Sequence, residues 1–263
     1  MFHVLLVRRG RVTDSDWLIP RNKPLNIAHR GASAAAPQNT LAAFCKAMEL
    51  GADGVELDVH LSGDGVPVVM HDPTVDETTD GAGRIADKTL AELKELDAGG
   101  KFSPHFAGER IPTLEQVFDA LQGRLLVNVE LKDVSLSGVG LEAPVVEVVR
   151  RFGMEKKVLF SSFNPLTLRR LRPLAQDIPA GLLYSRNLAI YLRRAWLAPF
   201  TPHQARHPHF VLVDGRLVRW CRARKLHVNV WTVNEPAEMK RLIALGVDGI
   251  ITDAPDVLGA IVD

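Results

Sequence analysis

Residues 26–72 decide the fold of this chain and carry most of its candidate chemistry; they read NIAHRGASAAAPQNTLAAFCKAMELGADGVELDVHLSGDGVPVVMHD. The apolar run at residues 25–28 predicts a buried strand that ends on His29 and Arg30, where a loop would present an imidazole and a guanidinium. In residues 55–59, VELDV, apolar and acidic side chains alternate. The two-residue period of a strand therefore places Glu56 and Asp58 on one face.

These two carboxylates on one strand face indicate a metal site. On a surface strand they would simply face water. Here the strand follows a glycine-punctuated helix end at residues 50–54, an order typical of βα repeats, whose strands are buried on both faces. Because unpaired buried anions are costly, Glu56 and Asp58 need a compensating charge, and a divalent cation supplies it.

A second histidine follows the turn signal SGDG at residues 62–65. We predict a hairpin in which Leu61 pairs with Val66, a register that brings His71 opposite Glu56. His71 could then act as an acid or a base toward a metal-bound phosphate. The alternative is a structural histidine at a strand end.

Four short motifs in this stretch together resemble the N-terminal signature of the glycerophosphodiester phosphodiesterase family. They are HRG at residues 29–31, PQNT at 37–40, ELD at 56–58 and HD at 71–72. The similarity continues at residues 129–132, 230–234 and 248–253, so it covers the chain from about Leu25. The chain departs from the family at Gln38, where glutamate is usual, and this removes one negative charge near the site.

Strand and helix signals alternate along the rest of the chain. They give eight strand-helix units when the return strand is left out, among them a strand at residues 209–213. We predict an α/β fold, a single TIM-type (β/α)8 barrel over residues 25–263, after an N-terminal extension at residues 1–24. An insertion at residues 72–112 follows the second strand and its return hairpin, and it would cover the site or shape the leaving-group pocket.

The third strand adds candidate site residues. In residues 125–132 the alternation gives Asn128, Glu130 and Lys132 a common face. On an isolated strand Glu130 and Lys132 would pair with each other. In a barrel this face is the lumen, where Glu130 becomes a third metal carboxylate and Lys132 a phosphate contact, and the family resemblance supports this assignment. Trp231 is either a core aromatic or an apolar wall for the glycerol or headgroup.

Composition excludes several functional classes. The formal net charge of +1 gives no reason to expect a nucleic-acid partner. No apolar run reaches the roughly twenty residues that span a bilayer, and the first twenty residues lack the order of a signal peptide, so we expect a soluble cytoplasmic protein. Cys45 and Cys221 are expected to be small buried packing residues in a reducing compartment.

Two further segments have alternative interpretations. His203, His207 and His209 suggest a metal site, but loop histidines beside prolines are expected to stay on the surface. Residues 187–200 carry an apolar stripe beside Arg193 and Arg194. The stripe indicates core packing, and the minority alternative is an apolar ledge at the site mouth that contacts a lipid-bearing substrate or a lipid surface transiently.

Together these features predict metal-dependent hydrolysis of glycerophosphodiesters to sn-glycerol 3-phosphate and an alcohol. The nucleophile is a water or the free hydroxyl of the glycerol, and the family resemblance favours the hydroxyl. The alternatives are a lysophospholipase D-type hydrolase and a non-catalytic barrel that binds phosphorylated ligands. A non-catalytic barrel would be expected to lack some of the catalytic residues, and all of them are present in this sequence. The predicted roles are a Mg²⁺ or Ca²⁺ ion on Glu56, Asp58 and Glu130, phosphate binding by Arg30 and Lys132, and proton transfer by His29 as base and His71 as acid.

Overall fold

The computed structural model describes residue 12, residues 14–186 and residues 201–262. Its strands are β1 (Leu25–His29), β2 (Gly54–Leu61), β3 (Pro67–Val69), β4 (Leu126–Leu131), β5 (Val158–Ser162), β6 (Ala180–Tyr184), β7 (Ala205–Pro208), β8 (His227–Val230) and β9 (Gly249–Thr252). All except β3 run parallel, and β1 pairs with both β2 and β9, which closes an eight-stranded barrel. The predicted (β/α)8 barrel is confirmed.

Helices connect the barrel strands, and several begin where the sequence supplies a cap. Thr40 and Thr113 accept hydrogen bonds from the backbone N–H groups of Ala43 and Gln116. Proline fixes the first turn of the fifth and seventh helices below. The helices are α1 (Leu41–Glu49), α2 (Leu90–Glu95), α3 (Leu114–Leu121), α4 (Glu142–Arg151), α5 (Pro165–Leu171), α6 (Gly215–Arg222), α7 (Pro236–Leu245) and α8 (Pro255–Val262).

The barrel has an apolar layer outside the strands and a smaller one at the amino-terminal end of its lumen. Trp17, in a short 3-10 helix before β1, packs in the lumen cluster with Leu25 and Leu159 and is 2% exposed. Its indole N–H donates to the carbonyl of Lys157 at 2.7 Å. Burial of one tryptophan contributes about 4–6 kcal/mol, so this part of the N-terminal segment stabilises the barrel.

The insertion is a small folded unit beside β3. Val75, Ile85, Leu93 and Ile111 form its own buried apolar cluster. A carboxylate fixes its last loop, because Asp97 accepts hydrogen bonds from the backbone N–H groups of residues 99, 100 and 108. The insertion therefore presents a defined surface next to the carboxyl end of β2.

The predicted hairpin register is wrong by one residue. Leu61 pairs with Pro67, and the ladder ends where Val59 pairs with Val69. The reason is the turn: the side chain of Ser62 accepts from the N–H of Val66 at 2.9 Å, which makes those two residues partners. His71 therefore lies beyond the strand and is not paired opposite Glu56.

The seventh barrel strand lies earlier in the chain than predicted, and the expectation that His203 and His207 are surface residues is wrong. Residues 205–208 form the strand, while residues 210–212 form a 3-10 helix. His203 and His207 are buried, with 5% and 0% exposure, not surface residues. Burial lowers the pKa of His207 to about 3, so it is neutral in the lumen, where it meets Asn229 at 3.1 Å. The sequence pattern did not reveal this strand because it is only four residues long and two of its side chains, Arg206 and His207, are polar.

Both cysteines are free thiols. The expectation that they are buried is correct for Cys221 and wrong for Cys45, which is partly exposed. None of the helices in the described ranges is long and apolar enough to cross a membrane. The apolar and basic stretch at residues 187–200 and residues 1–11 of the extension lie outside the described residues.

Candidate active site

A cavity of about 230 Å³ opens at the carboxyl ends of the barrel strands. Parallel barrels concentrate their functional side chains at this end. Of the eight residues predicted for the site, seven line the cavity: His29, Arg30, Glu56, His71, Glu130, Lys132 and Trp231. Asp58 lies behind them and is 1% exposed. The structure thus brings all eight into one region.

Strand register gathers the three carboxylates. Asp58 is directly beside Glu130 in the β2–β4 ladder, and Glu56 is beside His29 in the β1–β2 ladder. Each carboxylate offers an oxygen within 4.8 Å of the other two, and all three side chains are buried. Such a cluster can hold a metal ion.

Two cations offset part of this negative charge. The Lys132 ammonium lies 2.9 Å from Asp58 Oδ1 and 2.7 Å from Glu130 Oε1. Arg30 Nε lies 3.4 Å from Asp58 Oδ2. Burial alone would raise the pKa of Asp58, but the two cations outweigh it and lower that pKa. Burial alone would lower the pKa of Lys132, but the two carboxylates outweigh it and raise that pKa.

Glu56 is the poorly compensated member of the cluster. Burial, reinforced by Asp58 and Glu130, raises its pKa well above the usual value. Three carboxylates against two cations leave a formal charge of 2 − 3 = −1. A divalent cation would change this to +1, which complements a phosphodiester anion, so the residues present fit such an ion.

Asp253 orients His29. His29 Nδ1 lies 2.6 Å from Asp253 Oδ1. Ser33 donates to the same oxygen at 2.9 Å, and Asn234 donates to the other at 2.5 Å. Burial raises the carboxyl pKa, but these hydrogen bonds and His29 prevail and lower it to about 2. A charged carboxylate can only accept, so Nδ1 donates and Nε2 of neutral His29 keeps its lone pair.

His71 has a similar but more exposed partner. Its Nδ1 lies 2.8 Å from Asp72 Oδ1, and both side chains are about one-third exposed, at 33% and 34%. Its backbone carbonyl contacts His60 Nε2 at 3.1 Å. Burial lowers the pKa of His71, while Asp58 opposes this effect.

The turn between β1 and α1 holds Arg30 in an unusual backbone conformation. Arg30 has φ +56°, its N–H donates to Glu56 Oε2 at 3.2 Å, and its guanidinium donates to Gln38 Oε1 at 2.5 Å. Gly31 follows with φ +81°, where a Cβ would come within 2.6 Å of the Ala43 backbone. Only glycine allows helix α1 to approach this closely.

One side of the cavity is apolar. The rings of Phe163 and Trp231 meet edge to face with centroids 5.3 Å apart, and Leu183 and Ile251 continue this side. The Trp231 indole donates to the carbonyl of His207 at 2.8 Å, which fixes the ring. Trp231 is therefore a cavity wall rather than a fully buried core aromatic.

Sequence analysis missed several side chains that shape the site. Asn39 donates to Asp58 Oδ2 at 2.9 Å, and Asp253 and Asn234 support His29. The position of Asp253 could have been predicted from the order of the strands. Asp253 directly follows the last barrel strand, and His29 is the final residue of the first. In a closed parallel barrel these strands are neighbours.

Comparison with known proteins places the chain in a family. The Glycerophosphoryl diester phosphodiesterase family pattern matches residues 29–257. A glycerophosphodiester phosphodiesterase from Caldanaerobacter subterraneus subsp. tengcongensis is 44% identical over 238 residues, which cover 90% of this chain and 96% of that protein. The chain belongs to the glycerophosphoryl diester phosphodiesterase family, and the prediction of a phosphodiester hydrolase is confirmed.

Solved structures agree with this assignment. A phosphodiesterase from Oleispira antarctica, in complex with the product sn-glycerol-3-phosphate, superposes with a TM-score of 0.79 at 33% identity, covering 90% of this chain and 96% of that chain. A glycerophosphodiester phosphodiesterase from Agrobacterium tumefaciens gives a TM-score of 0.78 at 30% identity, covering 89% and 98%.

Proposed function

We propose that this protein hydrolyses glycerophosphodiesters to sn-glycerol 3-phosphate and an alcohol in a reaction that requires a divalent cation. The convergence of three buried carboxylates, two cations and two imidazoles on one cavity supports this proposal most strongly. The product bound by the Oleispira antarctica relative is further support.

Glu56, Asp58 and Glu130 hold the cation in this proposal. Carboxylate oxygens suit both Mg²⁺ and Ca²⁺, and the proposal covers either ion. When bound, the ion would polarise a phosphoryl oxygen and offset the charge that develops in the transition state.

Arg30 and Lys132 bind the remaining phosphate oxygens. Both side chains are largely buried, with 20% and 16% exposure, and both are held by carboxylates. Cations fixed before the substrate arrives need little reorganisation when charge develops. Their hydrogen bonds to anionic oxygens are also stronger than neutral ones.

The two histidines transfer protons through Nε2. Since Asp253 accepts from Nδ1 of His29, the free Nε2 lone pair can take a proton from the nucleophile. Asp72 holds Nδ1 of His71 in the same relation, so the protonated ring can give its Nε2 proton to the departing alcohol. We assign His29 as base and His71 as acid.

The nucleophile in this proposal is the free glycerol hydroxyl, and a water molecule is the alternative. The apolar side formed by Phe163, Leu183 and Trp231 would pack the carbon face of the glycerol and limit water near it. In the hydroxyl route the glycerol oxygen bonds to phosphorus as the alcohol departs, and a water then opens the resulting cyclic phosphate to sn-glycerol 3-phosphate; ³¹P NMR would detect the cyclic intermediate. Direct attack by water gives none.

A lysophospholipase D-type activity is a second candidate. The same apolar side of the cavity supports it, because an acyl-bearing substrate needs apolar contact. Comparison of glycerophosphocholine with lysophosphatidylcholine of several chain lengths separates the two activities. A preference for longer chains would favour the second candidate.

The proposal is tested by assaying several glycerophosphodiesters with added Mg²⁺, added Ca²⁺ or chelator. We expect hydrolysis that chelator abolishes and added metal restores. The variant Glu56→Gln keeps the shape of the side chain and should lose activity by at least about a hundredfold. Hydrolysis that survives chelator, or an active Glu56→Gln enzyme with unchanged metal dependence, contradicts the proposal.

A further inference from the structure

A second cleft lies between the insertion and the PQNT turn. It has a volume of about 170 Å³, and its polar and aromatic lining comprises Gln38, Glu77, Thr78, Lys101 and Phe102. Phe102 is 47% exposed, and its ring is held edge to face against Phe106 at a centroid distance of 5.6 Å. The cleft therefore presents a fixed phenyl ring to solvent.

This cleft lies next to the active-site cavity on the side of His71, as the shared lining residues show. A small hollow shares His71 with the cavity and shares Gln38, Thr78 and Ala98 with the cleft. An alcohol held on the His71 side of the cavity would therefore face the insertion. The apolar wall at Trp231 lines the cavity but neither the hollow nor the cleft.

The chemistry of the cleft is balanced rather than cationic or anionic. Glu77 and Lys101 contribute opposite formal charges, and Lys101 Nζ donates to the carbonyl of Asp76. Gln38 accepts from Arg30 through Oε1, while within the described residues its amide nitrogen and the Glu77 carboxylate have no hydrogen-bond partner. Donors and acceptors thus face the cleft together.

Such a surface suits a molecule with several hydroxyl groups. Each hydroxyl both donates and accepts, so it can pair with a carboxylate, an ammonium and an amide. The carbon face of a polyol can pack on the Phe102 ring. A trimethylammonium group needs several aromatic faces and no competing cation, whereas this cleft offers one ring and the ammonium of Lys101.

We infer that the insertion cleft binds the departing alcohol and selects an uncharged polyhydroxy alcohol, such as a cyclitol or glycerol, over an ammonium alcohol. The inference rests on the proposed function, because it assigns the leaving-group side of that same reaction. Phe102 is then a specificity-determining residue outside the catalytic cavity.

The test measures kcat/KM for glycerophosphoinositol and glycerophosphocholine with the metal-supplemented full chain. We expect the unmodified protein to favour the inositol ester. Phe102→Ala should lower kcat/KM for that ester about fivefold and change the choline ester less than about twofold. Trp220→Ala is the matched control, since Trp220 is 39% exposed on α6 and lines neither the cavity nor the cleft.

The outcomes are distinguishable. A preference of the unmodified protein for the choline ester overturns the inference. A Phe102→Ala variant that leaves both substrates unchanged, or lowers both equally, also overturns it, while the proposed function stands. Failure of the unmodified protein to hydrolyse either ester contradicts the proposed function and this inference with it.

Discussion

Substitution of Asp253 by asparagine tests how the proposed base is oriented. Asp253 accepts from His29 Nδ1 at 2.6 Å and is held by Ser33 and Asn234. Asparagine keeps the size of the side chain but can donate from its amide to Nδ1. That hydrogen bond selects the tautomer in which Nε2 carries the proton, and this tautomer cannot act as a base.

The expected loss follows from the strength of this contact. A hydrogen bond to a charged group contributes about 1.5–3 kcal/mol, and each 1.4 kcal/mol is tenfold in rate. Because the Asp253 side chain is 31% exposed, we expect the lower part of this range. Asp253→Asn should therefore lower kcat/KM about 10- to 40-fold.

The assay compares kcat and KM across pH for the unmodified protein, Asp253→Asn and Asp248→Asn. Asp248 is a matched control because it also faces a histidine, His227, at 3.6 Å, but it precedes β9 at the opposite end of the barrel. We expect the control to keep kcat within about twofold. Thermal unfolding checks that both variants fold.

The loss in Asp253→Asn should fall on kcat, with KM little changed, because the substitution affects proton transfer rather than phosphate binding. A variant with kcat within threefold of the unmodified protein would refute the orienting role. An equal loss in Asp248→Asn would show that the effect is structural.

Three further predictions concern stability. Lys132→Met removes the ammonium between Asp58 and Glu130 and should cost about 3 kcal/mol of unfolding free energy. Added Ca²⁺ should raise the melting temperature more in this variant than in the unmodified protein. Equal increases in melting temperature would contradict this prediction. Asp133, whose side chain is 0% exposed, binds Arg170 at 2.6 Å, and Asp133→Asn should cost about 2–3 kcal/mol at pH 7 in urea unfolding. Burial raises the pKa of Asp133, but hydrogen bonds from Ser135 outweigh it and lower that pKa. The stability that the charged carboxylate contributes is therefore present above about pH 4 and is lost as pH falls further. A difference in unfolding free energy between the two proteins that does not change with pH would contradict this. Because burial lowers the pKa of His207 to about 3, only the unfolded state takes up a proton at this histidine between about pH 6.5 and 3. The free energy of unfolding should therefore fall by up to about 1.4 kcal/mol for each pH unit of acidification in this range. His207→Gln should make this pH dependence weaker, and an unchanged pH dependence would exclude His207 as its source.

Periodicity predicted the parts of the structure that local sequence controls. The apolar and acidic alternation at Glu56 and Asp58 gave the correct strand face, and the same rule oriented Glu130. The starts of α1 and α3 are also under local control, because the caps at Thr40 and Thr113 depend on a few adjacent residues. The count of eight strand-helix units then predicted a single barrel.

Features that depend on distant segments were beyond sequence analysis. The partnership of His29 with Asp253 joins residues 224 positions apart and depends on barrel closure. The hairpin register is local but depends on one side-chain hydrogen bond, which the Ser62 hydroxyl accepts from the Val66 N–H, and the turn pattern alone does not specify that bond. His207 lies on a four-residue strand that also carries Arg206 and Pro208 and so lacks an apolar pattern; its burial becomes evident only in three dimensions.

Direct titration of a divalent cation tests the central claim most simply. Calorimetry with Mg²⁺ or Ca²⁺ should show one ion bound per chain, at the cluster whose carboxylate oxygens lie within 4.8 Å of one another. Glu56→Gln should weaken this binding on the order of a hundredfold. An unmodified protein that binds neither ion, or a Glu56→Gln variant that binds with unchanged affinity, would contradict the account.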